Sequence, residues 1–345
     1  MPDLPEGRSR LLTLGDGSRI STPLLIPSVS SKGSGVTIDG RYEVDYDYSV
    51  VKDSITEALL VSAYDIHYER LPSLQLSDEA ALAPYRLPLL LVIDSGGYEA
   101  DPQAWESGEI MRSGGPAETW TSEMHDEVVA GLPGDQNLML VSYDSYETYG
   151  EQVATAQRTF ARGPKCLSDF LIKPPRGQRY VDPSALRPHV RDMNVFDVIG
   201  VTEKELGDSI LDRMVTVAEM RRALDEEGVD RPIHVFGSLD PVFTPLYYMA
   251  GAEIFDGLTW LRYAYREGLS VYSETRSVLL QELDTKSRLR RGLFQAGNLT
   301  EIAHIKNSLE RWAAEQDFGV FDAARRDALL HAYRVMQART NKARR

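Results

Sequence analysis

Eight short apolar runs, most of them separated by stretches long enough for a helix, constrain this chain more than any other feature. In order they are Pro23 to Val29, Ala58 to Tyr64, Leu89 to Asp94, Asn137 to Asp144, Asp169 to Lys173, Val195 to Val201, Ile233 to Gly237 and Glu253 to Leu258. The Leu89 to Asp94 run, LLLVID, is the clearest. It is too short for a globular helix and has no polar residue before its last position, which fits a strand buried on both faces. The strand-helix-strand order is most legible from Val195 to Leu258. There Thr202 to Gly228 reads as a helix, with Ile210, Met214, Val217 and Leu224 on one face, a capping box from Thr202 and Glu205, and Gly228 just past the end. Parallel βα units follow from that order, and eight of them close into a TIM (β/α)8 barrel. An open doubly wound sheet is the alternative, but its first turn usually carries GxGxxG, and the loop SSKGSG has only Gly33 and Gly35.

Outside the runs, LLTL and GDGSRI read as a small hairpin turning at Gly15-Asp16-Gly17. Beyond Tyr265 the chain is helical and charged. Ile302, Ile305, Leu309 and Trp312 form one apolar face, Leu329, Leu330, Tyr333 and Met336 another, and the basic end after Arg339 reads as frayed. The expected division is a catalytic barrel over 1–265 and helices packed on it over 266–345. A chain of 345 residues is long enough for one large barrel core. Its net charge of -14 offers no global positive field for nucleic acid, so any such contact must rest on local basic patches. A single cysteine, Cys166, permits neither an internal disulfide nor a multi-cysteine zinc site, and no stretch reaches the ~18 apolar residues of a membrane span. A cytoplasmic protein is expected.

Chemistry concentrates at strand ends. The Leu89 to Asp94 run closes in Asp94-Ser95-Gly96-Gly97, a carboxylate followed by glycines that let backbone approach a ligand. Asp144 and Asp256 close the fourth and eighth runs, so in a barrel all three aspartates converge on one mouth. A lone strand-end aspartate also serves as a helix cap or loop anchor. Paired carboxylates divide into nucleophile and general acid/base in glycosyl transfer through a covalent sugar ester, which makes sugar C1 chemistry the natural reading. The histidines His67, His189, His234, His304 and His331 show no metal-ligand spacing and read as core or surface residues. Lys286, Arg288, Arg290 and Arg291 form a short basic cluster, either a nucleic-acid track beside the mouth or a solvated helix face.

IDSGGY at Ile93 to Tyr98, SYDSYE at Ser142 to Glu147, IGVTEKE at Ile199 to Glu205 and AEIFDGLTWLRYA at Ala252 to Ala264 resemble, in order and spacing, the tRNA-guanine transglycosylases. The opening Gly17 to Gly35 and LFQAGNL at Leu293 to Leu299 are similar to that family's first strand and closing helix, so the likeness runs from about Leu11 to Arg311. The resemblance implies that Asp256 attacks ribose C1′ of a target guanosine and that Asp94 is the general acid/base for guanine departure and 7-deazaguanine entry. It further implies that Asp144 reads the base edge, Gly200 lies under the base and Tyr98 stacks on it, with Ser95 and Gly96 at the substrate. Its partners would be a nucleic acid, tRNA or DNA, and a free 7-deazaguanine base, with no cofactor, no membrane, and a homodimer or partner protein admitted. Two features depart from the family. Its three-cysteine, one-histidine zinc site has no counterpart, since Tyr265 to Asn298 holds no Cys or His, so no zinc is expected there and packing must hold that region. Where a Gln-Gly-Gly segment is usual this chain has IKPPRG, so Lys173 or Arg176 either contacts a phosphate or altered base or is a solvated loop charge. A carboxylate-pair glycoside hydrolase and a non-catalytic barrel subunit binding nucleic acid or a catalytic chain are the rival readings. Retention of both Asp94 and Asp256 argues against the subunit.

Overall fold

The computed structural model describes residues 6–32, 40–74, 76, 88–100, 118–133, 137–162 and 165–342. Gly33 and Gly35, and the first half of the polar stretch from Asp101 to Pro133, lie outside the described residues. Eight strands close a parallel barrel: β1 (Leu24–Val29), β2 (Ala58–Ser62), β3 (Leu90–Asp94), β4 (Leu138–Val141), β5 (Leu167–Ile172), β6 (Val198–Thr202), β7 (Ile233–Phe236) and β8 (Ile254–Gly257). Each falls on one of the eight apolar runs, with β5 beginning two residues before its run and β6 ending one residue beyond its own. They are hydrogen-bonded in chain order, and β8 returns to β1 with Asp256 opposite Ile26. This is a TIM barrel with a helical extension.

The runs are apolar at nearly every position because both faces are covered. Leu24, Ile26, Leu60, Val92 and Met139 fill the barrel interior, while their neighbours Leu25, Leu59, Ile93 and Leu140 pack outward against the helices. The predicted hairpin forms as Leu11–Thr13 against Arg19–Ser21, and its Leu12, Leu14 and Ile20 join the interior cluster, plugging the amino-terminal end. Beside the plug, Glu253, fully buried, accepts from Arg10 Nε at 3.1 Å and from the Ile233 amide at 2.8 Å, with Arg221 Nη1 3.7 Å away.

The helix after β6 starts later than its sequence signal. Thr202 remains extended, Glu203–Glu205 makes a single 3₁₀ turn, and the helix spans Ile210–Glu226. The capping box is made by Ser209 and Asp212: the Asp212 amide donates to Ser209 Oγ at 3.1 Å and the Ser209 amide to Asp212 Oδ2 at 3.4 Å. Two such patterns stand in the sequence, and the Glu205 carboxylate of the first is drawn to Lys173 at 2.9 Å. Met214, Val217 and Leu224 are buried as expected, and Gly228 ends the helix with a φ of 70°.

After β8 and one helical turn, Thr259–Arg262, the chain makes a hairpin, Ala264–Arg266 with Leu269–Val271, ahead of the long helices. Its two-residue turn, Glu267-Gly268, has φ of 50° and 77°, the left-handed pair that matches strand twist. Helices Ser287–Glu315 and Ala323–Lys342 then bury Ile302, Ile305, Leu309 and Trp312, and Leu329, Tyr333 and Met336, in the same core as the outer barrel wall, with Leu330 half-buried. The last helix continues to Lys342 with Thr340 buried, so the beginning of the basic end is helical and packed rather than frayed. The stretch after β8 is tied by Asn298: its Nδ2 donates to the carbonyls of Trp260 and Tyr263, both at 2.7 Å, and its Oδ1 accepts from the Tyr265 amide at 2.6 Å. Among the described residues, no helix is long and apolar enough to cross a membrane.

Candidate active site at the barrel mouth

Because all eight strands are parallel, their carboxyl ends share one mouth, and Asp94, the last residue of β3, Asp256 in β8 and Asp144, three residues beyond β4, all belong to it. The charges of Asp144 and Asp256 both act on Asp94. The three carboxyls are nevertheless held in different ways.

Asp256 is cradled by donors on both oxygens. Ser28 Oγ from β1 donates to Oδ2 at 2.7 Å, and the Gly237 amide, just past β7, donates to Oδ1 at 3.0 Å. His234 Nε2 lies 3.3 Å from Oδ1, off the N–H axis, as an ionic contact rather than an aligned hydrogen bond. On its other side His234 Nδ1 meets Asp169 Oδ2 at 2.6 Å, and both side chains are fully buried. Burial works against a charge on the ring, but the carboxylates of Asp169 and Asp256 outweigh it and push the His234 pKa up to about 9. Burial also lifts the Asp169 carboxyl above its ordinary range, and the His234 ring draws it part-way back.

That contact runs from β7 to β5 across β6, where Gly200 is the residue paired with His234. A Cβ on Gly200 would stand 2.7 Å from Asp169 Oδ1 and 2.6 Å from the Phe236 ring, which lies with its centroid 3.8 Å from that of His234. Glycine at this position leaves room for the Asp169–His234 pair.

Asp94 keeps part of its surface open to the mouth. Burial, and then the like charges of Glu99, Asp144 and Asp256, hold its carboxyl well above the usual carboxylate range. Glu99, from the DSGGYE segment, is buried and accepts from Ser62 Oγ at 2.8 Å and from Ser30 Oγ. Asp65 stands beside it with the Ser31 amide donating at 2.7 Å, and burial together with the Glu99 charge raises it to about 7. This side of the mouth is crowded with carboxyls.

Asp144 is shifted the other way. Burial would raise it, but Lys173 Nζ at 3.0 Å and Ser95 Oγ at 2.5 Å carry it below the ordinary range. The Lys173 ammonium, 3% exposed, is shared between Asp144 and Glu205, so it acts within the site as the cation that fixes Asp144. Arg176 is exposed and pairs with Glu147 at 2.9 Å. The glycines of DSGG have separate tasks. Gly96 takes a φ of 83° against the Trp120 indole, whose Nε1 donates to the Ser95 carbonyl at 2.9 Å, and a Cβ on Gly97 would stand 2.4 Å from the Asp144 carboxyl carbon. Tyr98 is half-buried under the Lys32 ammonium, 4.2 Å from its ring centroid, with Arg262 Nη2 3.4 Å from its hydroxyl.

The residues that sequence reading missed are His234, Asp169, Ser28, Glu99 and Glu205. A histidine inside an otherwise apolar strand, IHVFG, was the available signal for the first. His234 is indeed a core residue, and the core it occupies is the floor of the site. In the basic cluster, Arg291 pairs with Asp47 at 2.5 Å, Arg290 with Glu274 at 3.0 Å, and Arg288 covers the Tyr46 ring. Among the described residues no group of three His, Cys, Asp or Glu side chains is placed to hold a metal ion. No protein-family model matches this chain, and no curated protein is significantly similar to it.

Proposed function

We propose that this barrel is a base-exchange transglycosylase that replaces guanine in a nucleic acid, tRNA or DNA, with a 7-deazaguanine. The observation that carries the reading is the division of labour between two carboxyls at one mouth. Burial and like charge raise the proton affinity of Asp94, while Asp256 is fixed by donors on both oxygens. A carboxyl of raised proton affinity beside one held in place by donors supplies a proton donor and a nucleophile.

In the first step an Asp256 oxygen bonds to ribose C1′ as the C1′–N9 bond breaks. Its electron pair leaves with guanine, which takes the Asp94 proton. In the second, the incoming base gives its proton to Asp94 carboxylate, its nitrogen bonds to C1′, and the Asp256 ester bond breaks to restore the carboxylate. The target base must leave its stack to enter. Asp144, held ionised by Lys173, presents an acceptor for a base edge, and Tyr98 offers a ring face. The test is to incubate the protein with guanine-containing tRNA and duplex DNA and look for an adduct that survives denaturation, together with exchange of labelled guanine. Release of a free reducing sugar instead would identify a glycoside hydrolase, and absence of both adduct and exchange would overturn the proposal.

A further inference from the structure

We infer that His234, clamped between Asp169 and Asp256, is a positioning residue that, as a buried cation, holds the Asp256 carboxylate as the nucleophile. The inference rests on the transglycosylase reading for its kinetics, and on geometry for the charge itself. The proton affinity of Asp94 is raised first by burial and then by Glu99, Asp144 and Asp256, whereas Asp256 lies against a basic side chain. A buried cation that touches Asp256 and not Asp94 holds the nucleophile in place for attack.

His234 is that cation. The charged groups facing its ring are Asp169 from β5 at 2.6 Å and Asp256 from β8 at 3.3 Å, and its side chain has no exposed surface. Asp169 fixes the ring by its Nδ1 edge, which turns Nε2 toward Asp256. With the ring charged, the arrangement is a buried anion-cation-anion chain whose outer anion is the nucleophile. The chain also suits the covalent stage, since esterified Asp256 has lost its charge and His234 remains paired by Asp169. Gly200 belongs to the same device, because any side chain there would collide with the Asp169 carboxylate or Phe236.

The test combines ¹⁵N-histidine NMR of the whole chain with the pH profile of guanine exchange. In the wild type the His234 ring should carry protons on both nitrogens at neutral pH, and Asp169→Asn should make it titrate at lower pH. In exchange assays His234→Gln should lower kcat about 10–100-fold with a smaller change in KM, and move the acid limb of the profile to higher pH, because the mouth then loses a buried cation. A His234 ring neutral at pH 7 overturns the inference, whether or not the protein exchanges guanine. An active wild type whose His234→Gln variant keeps the same kcat and pH limbs also overturns it while leaving the transglycosylase reading intact. A wild type without exchange defeats that reading, and the NMR titration still decides the charge. If His234→Gln does not fold, Asp169→Asn carries the same kinetic expectation.

Discussion

The two ends of the barrel treat buried charge in opposite ways. At the amino-terminal end, Glu253 sits between Arg10 and Arg221, and Arg221 is also paired with Asp225 at 3.0 Å, so each buried charge has an opposite partner at hand. At the carboxyl end, Asp94, Glu99, Asp144, Asp169 and Asp256 outnumber the buried cations Lys32, Lys173 and His234 among the described residues. Neither Lys173 nor His234 is a direct partner of Asp94 among the described contacts. Charge matching of the first kind holds a structure together; a surplus of carboxyls costs stability and persists where chemistry needs a raised proton affinity. The amino-terminal end is thus a structural pole, and the carboxyl end is the one that the proposed chemistry would use.

The largest effect should come from Asp256, the proposed nucleophile. Asp256→Asn keeps the shape and an acceptor for Ser28 but cannot form the sugar ester, so both adduct and exchange should fall below detection while the fold, followed by circular dichroism, is retained. Asp94→Asn is next: exchange should drop about 10²–10⁴-fold, since a positioned proton donor is lost. Its stability should move the other way. A carboxyl whose pKa is raised on folding lowers stability as pH climbs from its unfolded value through its folded one, and the amide removes that cost. Denaturant unfolding should therefore show the variant gaining on the wild type as pH rises. A variant that loses both activity and stability would place Asp94 at the structural pole.

The amino-terminal end gives the converse. Glu253→Gln leaves Arg221, fully buried, facing a neutral amide, and should cost about 3–5 kcal/mol of unfolding free energy. Exchange per folded molecule should be unchanged, because Glu253 lies at the far end of β8 from the mouth. A variant with normal stability and damaged kinetics would break the division between the ends.

How much of this could be read from the sequence follows from the range of each signal. The barrel strands were legible because burial on both faces is written locally, in runs such as LLLVID and LLIPSV. The strand-end aspartates were legible because a parallel barrel fixes where strand ends go. The hairpin at Glu267-Gly268 was missed because its Glu-Gly turn lacks the Asp-Gly signal that marks the first hairpin, whose strands are equally short. The capping box was misplaced because two adjacent patterns compete and only the tertiary contact of Glu205 with Lys173 decides between them. Asp169 and His234 were invisible as a pair. They stand 65 positions apart on strands that are not neighbours, and the residue that allows them to meet, Gly200, announces only that a side chain is missing.

The smallest expected effect is the pH dependence that this pair gives to stability. A histidine whose pKa is raised on folding, here to about 9 from the ordinary 6.5, contributes its full stabilisation below the unfolded value, where both states are charged alike. The contribution is lost as pH rises through the folded value, because the native state then gives up a proton that the unfolded state has already lost. The window is about pH 6.5 to 9, and a displacement of that size corresponds to on the order of 3 kcal/mol. Other groups titrate as well, so the quantity to measure is the difference in unfolding free energy between wild type and His234→Gln at matched pH. That difference should be widest near pH 6 and should shrink toward pH 10. A difference that stays level across the window would mean that the ring is neutral in the native state. The carboxyl end would then hold its surplus of acids with one buried cation fewer, and the contrast between the two poles would be sharper still.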